Sequence, residues 1–221
     1  MKPALLAAAL ALFSGAASAA DPAVIDKPRV AVGDTWTYQS VLRAANRSKK
    51  LVETFEVTGV TGNRLHVVVL RKFEGEAEGE PVESDMVFSD EWNVMITGNR
   101  GGRPSAIMRP STAMLKFPMK VGESHPSDYD METLPDGNLV RHRRATKVVG
   151  WEDITVPAGK FRALRIEAEG RVQVAKKPKP GRTMVTLWWA PEVRRWVRLE
   201  QDFGPNGLTQ DLVSYKLAPA N

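Results

Sequence analysis

The residues that could do chemistry are sparse in this chain. The nearest thing to a metal cluster is His125-Pro126-Ser127-Asp128-Tyr129-Asp130-Met131-Glu132, where His125, Asp128 and Asp130 could offer nitrogen and oxygen ligands. The run lacks the glycine and the spaced carboxylates of a calcium loop, and an acidic surface loop between strands is the plainer account of it. Nucleophilic catalysis needs an activated side chain with a base beside it. There is no cysteine and no G-x-S-x-G elbow, and His66, His125 and His142 lie far apart. Asp153, Glu167 and Glu200 fall within alternating segments, where exposed charge is the ordinary explanation. The sequence therefore assigns no catalytic residue and no cofactor.

Large rings are the more suggestive feature. Trp36, Tyr38, Trp188, Trp189 and Trp196 stand out as candidate ligand-binding residues, alongside Trp92 and Trp151. Trp188 and Trp189 are adjacent, so on a strand they must face opposite sides. One can enter the core while the other faces a second layer, a cavity or solvent, which would suit an apolar or sugar-stacking pocket. A tryptophan-rich core is the plainer alternative. Two basic runs, Arg141-His142-Arg143-Arg144 and Lys176-Lys177-Pro178-Lys179-Pro180-Gly181-Arg182, read first as solvated charge. The prolines of the second make it an exposed loop.

The elements that must position these residues are strands. Short runs rich in Val, Ile, Thr, Trp and Tyr are punctuated by Gly, Pro, Asn and Asp, and no long stretch has helical periodicity. Alternation is clear in 34–42, 51–60 and 161–169; 183–189 and 193–203 flank Ala190-Pro191-Glu192 as a hairpin, and 65–70 is apolar on both faces like a central strand. Residues 98–109, rich in Gly, Arg and Pro, read as a loop or link. Residues 139–155 form a long extended segment with a bend near Gly150. The expected fold is all-β: an antiparallel β-sandwich or partly open barrel of about ten strands. Matching Val32-Gly33-Asp34-Thr35 with Val121-Gly122-Glu123-Ser124, Leu51-Val52 with Leu139-Val140, and Asp85-Met86-Val87 with Thr183-Met184-Val185 suggests two pseudo-repeated halves.

The N-terminus defines the compartment. Lys2, the apolar run Ala4 to Phe13 and the small residues Ala17-Ser18-Ala19-Ala20 form the three-part pattern of a signal peptide, cleaved after Ala19 or Ala20. The apolar run is about half the ~20 residues a spanning helix needs. Residues 21–221 are thus expected as one all-β domain, periplasmic or secreted, with no transmembrane segment after cleavage. That length suffices to bury roughly 70% of the unfolded surface without disulfides. The +5 formal charge and the pI near 9.5 are discounted as a nucleic-acid signature, because an exported protein meets little nucleic acid.

Four landmarks occur together: Val32-Gly33-Asp34-Thr35-Trp36-Thr37-Tyr38, Phe117-Pro118-Met119-Lys120-Val121-Gly122, Val156-Pro157-Ala158-Gly159-Lys160-Phe161-Arg162-Ala163-Leu164 and Trp188-Trp189-Ala190-Pro191-Glu192-Val193. In order and spacing they resemble a family of uncharacterised exported bacterial all-β proteins over most of the mature chain. The resemblance implies a secreted or periplasmic β domain and transfers no catalytic residue. The family's hairpin reads W-Y-A-P-G-V-G; here Trp189, Glu192 and Arg194 replace the tyrosine and both glycines. The leading functional expectation is a non-enzymatic binding or envelope-associated module, for a lipid or glycan ligand. The alternatives are an envelope-acting hydrolase whose site forms only in the fold, and an adaptor for an envelope protein.

Overall fold

The computed structural model describes residues 21–45, 47–75, 81–98, 101, 103–175 and 177–219. Residues 1–20, where the sequence reads as a signal peptide, lie outside the described residues. Thirteen strands follow in order: β1 (Thr35–Ala44), β2 (Arg47–Thr61), β3 (Arg64–Phe73), β4 (Val82–Ser89), β5 (Val94–Gly98), β6 (Pro104–Arg109), β7 (Ser124–Pro126), β8 (Tyr129–Thr133), β9 (Asn138–Val156), β10 (Gly159–Val174), β11 (Gly181–Ala190), β12 (Arg195–Phe203) and β13 (Asn206–Lys216), with a 3-10 turn at Pro191–Val193 before β12. No described helix is long and apolar enough to cross a membrane.

Twelve of these strands close into an antiparallel barrel, and β7 adds a thirteenth beside β9. The expected sandwich or partly open barrel of about ten strands is corrected on both counts. Two ladders that no local pattern announces complete the ring. β1 pairs with β13 from Thr35↔Lys216 to Ala44↔Asn206, and β6 pairs with β8 from Ala106↔Thr133 to Arg109↔Asp130. Closure removes the free edges that a sandwich must protect. The segment read as a loop over 98–109 carries β6, and the segment read as an acidic loop around Asp128 carries β7 and β8. The run at 65–70 is not apolar-buried on both faces: Leu65, Val67 and Val69 point inward, while Leu70 is exposed.

The two halves are built alike at their starts. Gly33 and Gly122 both take φ near +90°, which glycine adopts without strain. Gly33 N–H donates to Val57 O and Val57 N–H to Asp34 O; Gly122 N–H donates to Val148 O and Val148 N–H to Glu123 O. This fixes Val57 opposite Val148 in the comparison. Glu53 then answers to Arg144 and Leu51 to His142, three residues on from the Leu139 that sequence matching chose. The later hairpins agree. The register slips between Val87 and Phe88 in β4 and between Trp188 and Trp189 in β11, so Asp85 answers to Thr186 rather than Thr183. In the turns that follow, Trp92 and Arg194 are both left-handed, and each N–H closes onto a carbonyl three residues back, Ser89 O or Pro191 O. Asn93 and Arg195 come next and occupy equivalent places.

One end of the barrel is filled. The N-terminal segment crosses it through a reciprocal Ile25–Met119 backbone pair, above the aromatic rings of the core. Trp36 stands edge-on to Trp92 at 5.1 Å, and Phe88 to Trp92 at 5.3 Å. Each such ring contributes about 1.5–3 kcal/mol by burial, and polar tips find partners at long range. Trp36 Nε1 donates to Val193 O at 2.9 Å, and Tyr38 Oη donates to Trp196 O at 2.7 Å. The opposite end carries the turns after β1, β3, β5, β8, β10 and β12, and is the mouth.

Candidate functional site

Strand alternation decides which side chains enter the lumen. On β12, Leu199, Gln201 and Phe203 alternate inward, and a register slip opposite Trp188 and Trp189 brings the adjacent Arg195 and Trp196 both to the lumen; on β9, His142, Arg144, Thr146 and Val148 share one parity. The basic run 141–144 is therefore not a uniformly solvated patch. Arg141 and Arg143 face out, whereas His142 and Arg144 face in and are buried. Between the filled end and the mouth lies a cavity of about 330 Å³, lined by side chains from ten of the twelve barrel strands. Its walls are mostly apolar or aromatic, with Met86, Met108, Leu199 and Leu208 among them.

The polar groups in that wall are unusual. Four charged side chains line it: Glu53, Arg71, Arg144 and Arg195, so cations outnumber anions three to one. Glu53 is buried and fully engaged. It accepts from Ser40 Oγ at 2.7 Å, Gln210 Nε2 at 2.6 Å and Arg71 Nε at 2.9 Å. Its charge is thereby answered by Arg71.

Arg195 is wholly buried, and its guanidinium sits inside a cage of rings. The carbon of the guanidinium lies 4.0 Å from the centroid of Phe55, 4.2 Å from Trp196 and 4.4 Å from Trp92, with Trp36, Tyr38 and Phe88 within 5.8 Å. These faces attract a cation, but they accept no conventional hydrogen bond. None of Nε, Nη1 and Nη2 has a partner among the described residues. Burial pulls the pKa of Arg195 down to about 10, partly offset by Tyr38 and Glu53, so it stays charged at neutral pH. Three further buried donors in the same wall lack partners: Trp92 Nε1, Trp196 Nε1 and Arg144 Nε.

Arg144 is half-engaged: Nη2 donates to Thr112 O at 3.1 Å, and the guanidinium lies over the Tyr129 ring at 5.0 Å. Tyr129 stacks in turn on His142 at 4.3 Å. Burial, then Arg144 and Arg143, push His142 down to about 4, against a smaller pull upward from Asp130, so it is neutral at pH 7. Gly170 on β10 lets the backbones come close here, since a Cβ would overlap the Arg143 carbonyl oxygen.

The candidates named from sequence separate. Trp196 lines the cavity, and Trp36 and Tyr38 belong to the cage behind it. Trp188 and Trp189 do face opposite ways, but neither lines the cavity. Trp188 is half-buried with its indole N–H on Glu152 at 2.9 Å, and Trp189 packs edge-on against Phe117 at 5.3 Å. His125, Asp128 and Asp130 do not converge on a point. His125 Nε2 meets Ala113 O, Asp128 accepts the Arg144 backbone N–H, and Asp130 pairs with Arg143. Among the described residues no three metal-ligating side chains cluster.

Comparison with known proteins yields fold neighbours. No model of a known protein family matches the chain, and no curated protein does. A candidate lipoprotein from Parabacteroides distasonis overlays at TM-score 0.55 with 13% identity, covering 89% of this chain and all of that one. A candidate exported protein with a YmcC-like fold from Bacteroides fragilis overlays at TM-score 0.50 with 16% identity, covering 87% and 99%. At these identities the likeness is one of fold.

Proposed function

We propose that this chain is an exported, non-enzymatic binding protein of the bacterial envelope that takes one amphiphilic molecule into its barrel. The observation that carries the reading is the lumenal cavity. Its volume lies at the lower end of the ~300–1,000 Å³ usual for small-molecule sites, and its wall is apolar with a few buried polar groups. The signal pattern at 1–20 and the motif resemblance support the envelope location. Of the two ligand classes expected from the sequence, the cavity favours the lipidic one. Trp188, the ring outside the cavity that a sugar could have stacked on, is half-buried with its indole N–H on Glu152. A hydrolase reading has less support, because the hydrogen bonds described for His125 go to a carbonyl and His142 stacks on a tyrosine.

Native mass spectrometry of protein purified from the periplasm tests this. The expected spectrum shows a small-molecule adduct that dissociates on activation, and the emptied protein takes up the neutral probe N-phenyl-1-naphthylamine with a rise in fluorescence. A bare protein that also leaves the probe dark contradicts the reading.

A further inference from the structure

We infer that the molecule held in the cavity carries an anionic head, a carboxylate or a phosphate, which docks against Arg195; this deepens the amphiphile reading and rests on it. Six donor nitrogens on four side chains of one wall have no partner among the described residues: three on Arg195 and one each on Trp92, Trp196 and Arg144. These side chains are 0%, 2%, 7% and 6% exposed. Arginine and tryptophan donate and never accept. These six open donors are completed by a group that only accepts, and the excess of guanidinium charge over Glu53 selects a negative one.

The first half of the barrel shows that the scaffold does not require such a wall. At the places equivalent to Arg144 and Arg195 stand Glu53 and Asn93, both buried and both satisfied within the protein. Asn93 gives its Nδ2 to Leu115 O at 2.7 Å and takes the Leu115 N–H at 2.9 Å. The same backbone positions therefore can hold polar groups that close on themselves. In the second half they hold arginines with hydrogens to spare.

Position along β12 sets the orientation. Arg195 opens that strand at the filled end, and Phe203 closes it at the mouth, some ~26 Å of strand away. The head sits at Arg195, and the single apolar chain runs past Leu199 toward Phe203 and Leu208.

The test is a head-group series at constant chain length on the delipidated mature protein. Dodecanoate, dodecyl phosphate, dodecanol and dodecyltrimethylammonium are titrated below their micelle concentrations by calorimetry. At least one anionic probe should bind tenfold or more tighter than dodecanol, and the ammonium most weakly; the tighter anion tells a fatty-acid source from a phosphate one. Arg195→Met should bring the anions to the dodecanol level and leave dodecanol unchanged, and Arg144→Met should lower anion affinity by a smaller factor. An Arg195→Met that does not fold would assign Arg195 to the cage and overturn its role as the docking residue, and the wild-type series would then decide the anionic head alone. 16-Hydroxyhexadecanoate, whose longer chain carries its hydroxyl toward the mouth, should bind within about threefold of hexadecanoate, and a larger loss overturns the orientation. Dodecanol binding as tightly as both anions overturns the anionic head and leaves the amphiphile reading standing. No binding by any of the four overturns both.

Discussion

The two halves of the barrel share a backbone plan and differ in what they bury. Glu53 and Asn93 in the first half have every hydrogen bond answered inside the protein. Arg144 and Arg195, at the matching places in the second, keep donors without partners. A buried polar group that is fully bonded rigidifies a fold, whereas one left open costs stability. The difference assigns Glu53 and Asn93 to holding the barrel, and Arg144 and Arg195, with Trp92 and Trp196 beside them, to holding something else.

That contrast can be broken at several points. Glu53→Ala should have the largest effect, about 4 kcal/mol of lost stability, because it strands Arg71, Ser40 and Gln210 together. Urea denaturation would show it as a fall in midpoint with little change in slope. Asn93→Leu should cost about 3 kcal/mol by leaving the Leu115 N–H and C=O buried and unbonded; a loss under ~1 kcal/mol would mean the turn is not held by that amide.

The next prediction concerns pH. His142 replaces the Leu51 of the first half, and its folded pKa is about 4 against the ordinary 6.5. The groups about it are the stacked Tyr129, the edge of Phe203, Arg144, Arg143 and Asp130. The unfolded chain takes up the proton first as pH falls, so this contribution is complete above pH 6.5. It is lost progressively between 6.5 and 4, by about 3 kcal/mol. His142→Leu, which copies the first half, should flatten that part of the stability curve; an unchanged slope would place the titration elsewhere.

How much of this was legible in the sequence follows from where the information lies. Strand alternation in 34–42, 51–60 and 161–169 reads directly, because period-two burial is local. The closing ladders β1–β13 and β6–β8 join segments far apart in sequence and have no local signature. The matched glycines at 33 and 122 were visible, yet the segments that follow them differ in length before β2 and β9, which hides the correspondence of Glu53 with Arg144. Trp196, Trp36 and Tyr38 were found through their size. Arg195 and Arg144 were missed, since a run of arginines reads as solvent-facing unless its alternation is followed inward. That alternation was present: His142 and Arg144 share the parity of Thr146 and Val148.

The smallest expected effect is the most decisive. Arg195→Met, measured by denaturation without ligand, replaces a buried cation that has no hydrogen-bonded partner by an apolar side chain of similar length. If Arg195 is kept for a ligand, stability should stay within about 1 kcal/mol of wild type or rise. A loss of about 3 kcal/mol or more would show that the six-ring cage needs its cation, and would contradict the assignment of Arg195 to binding.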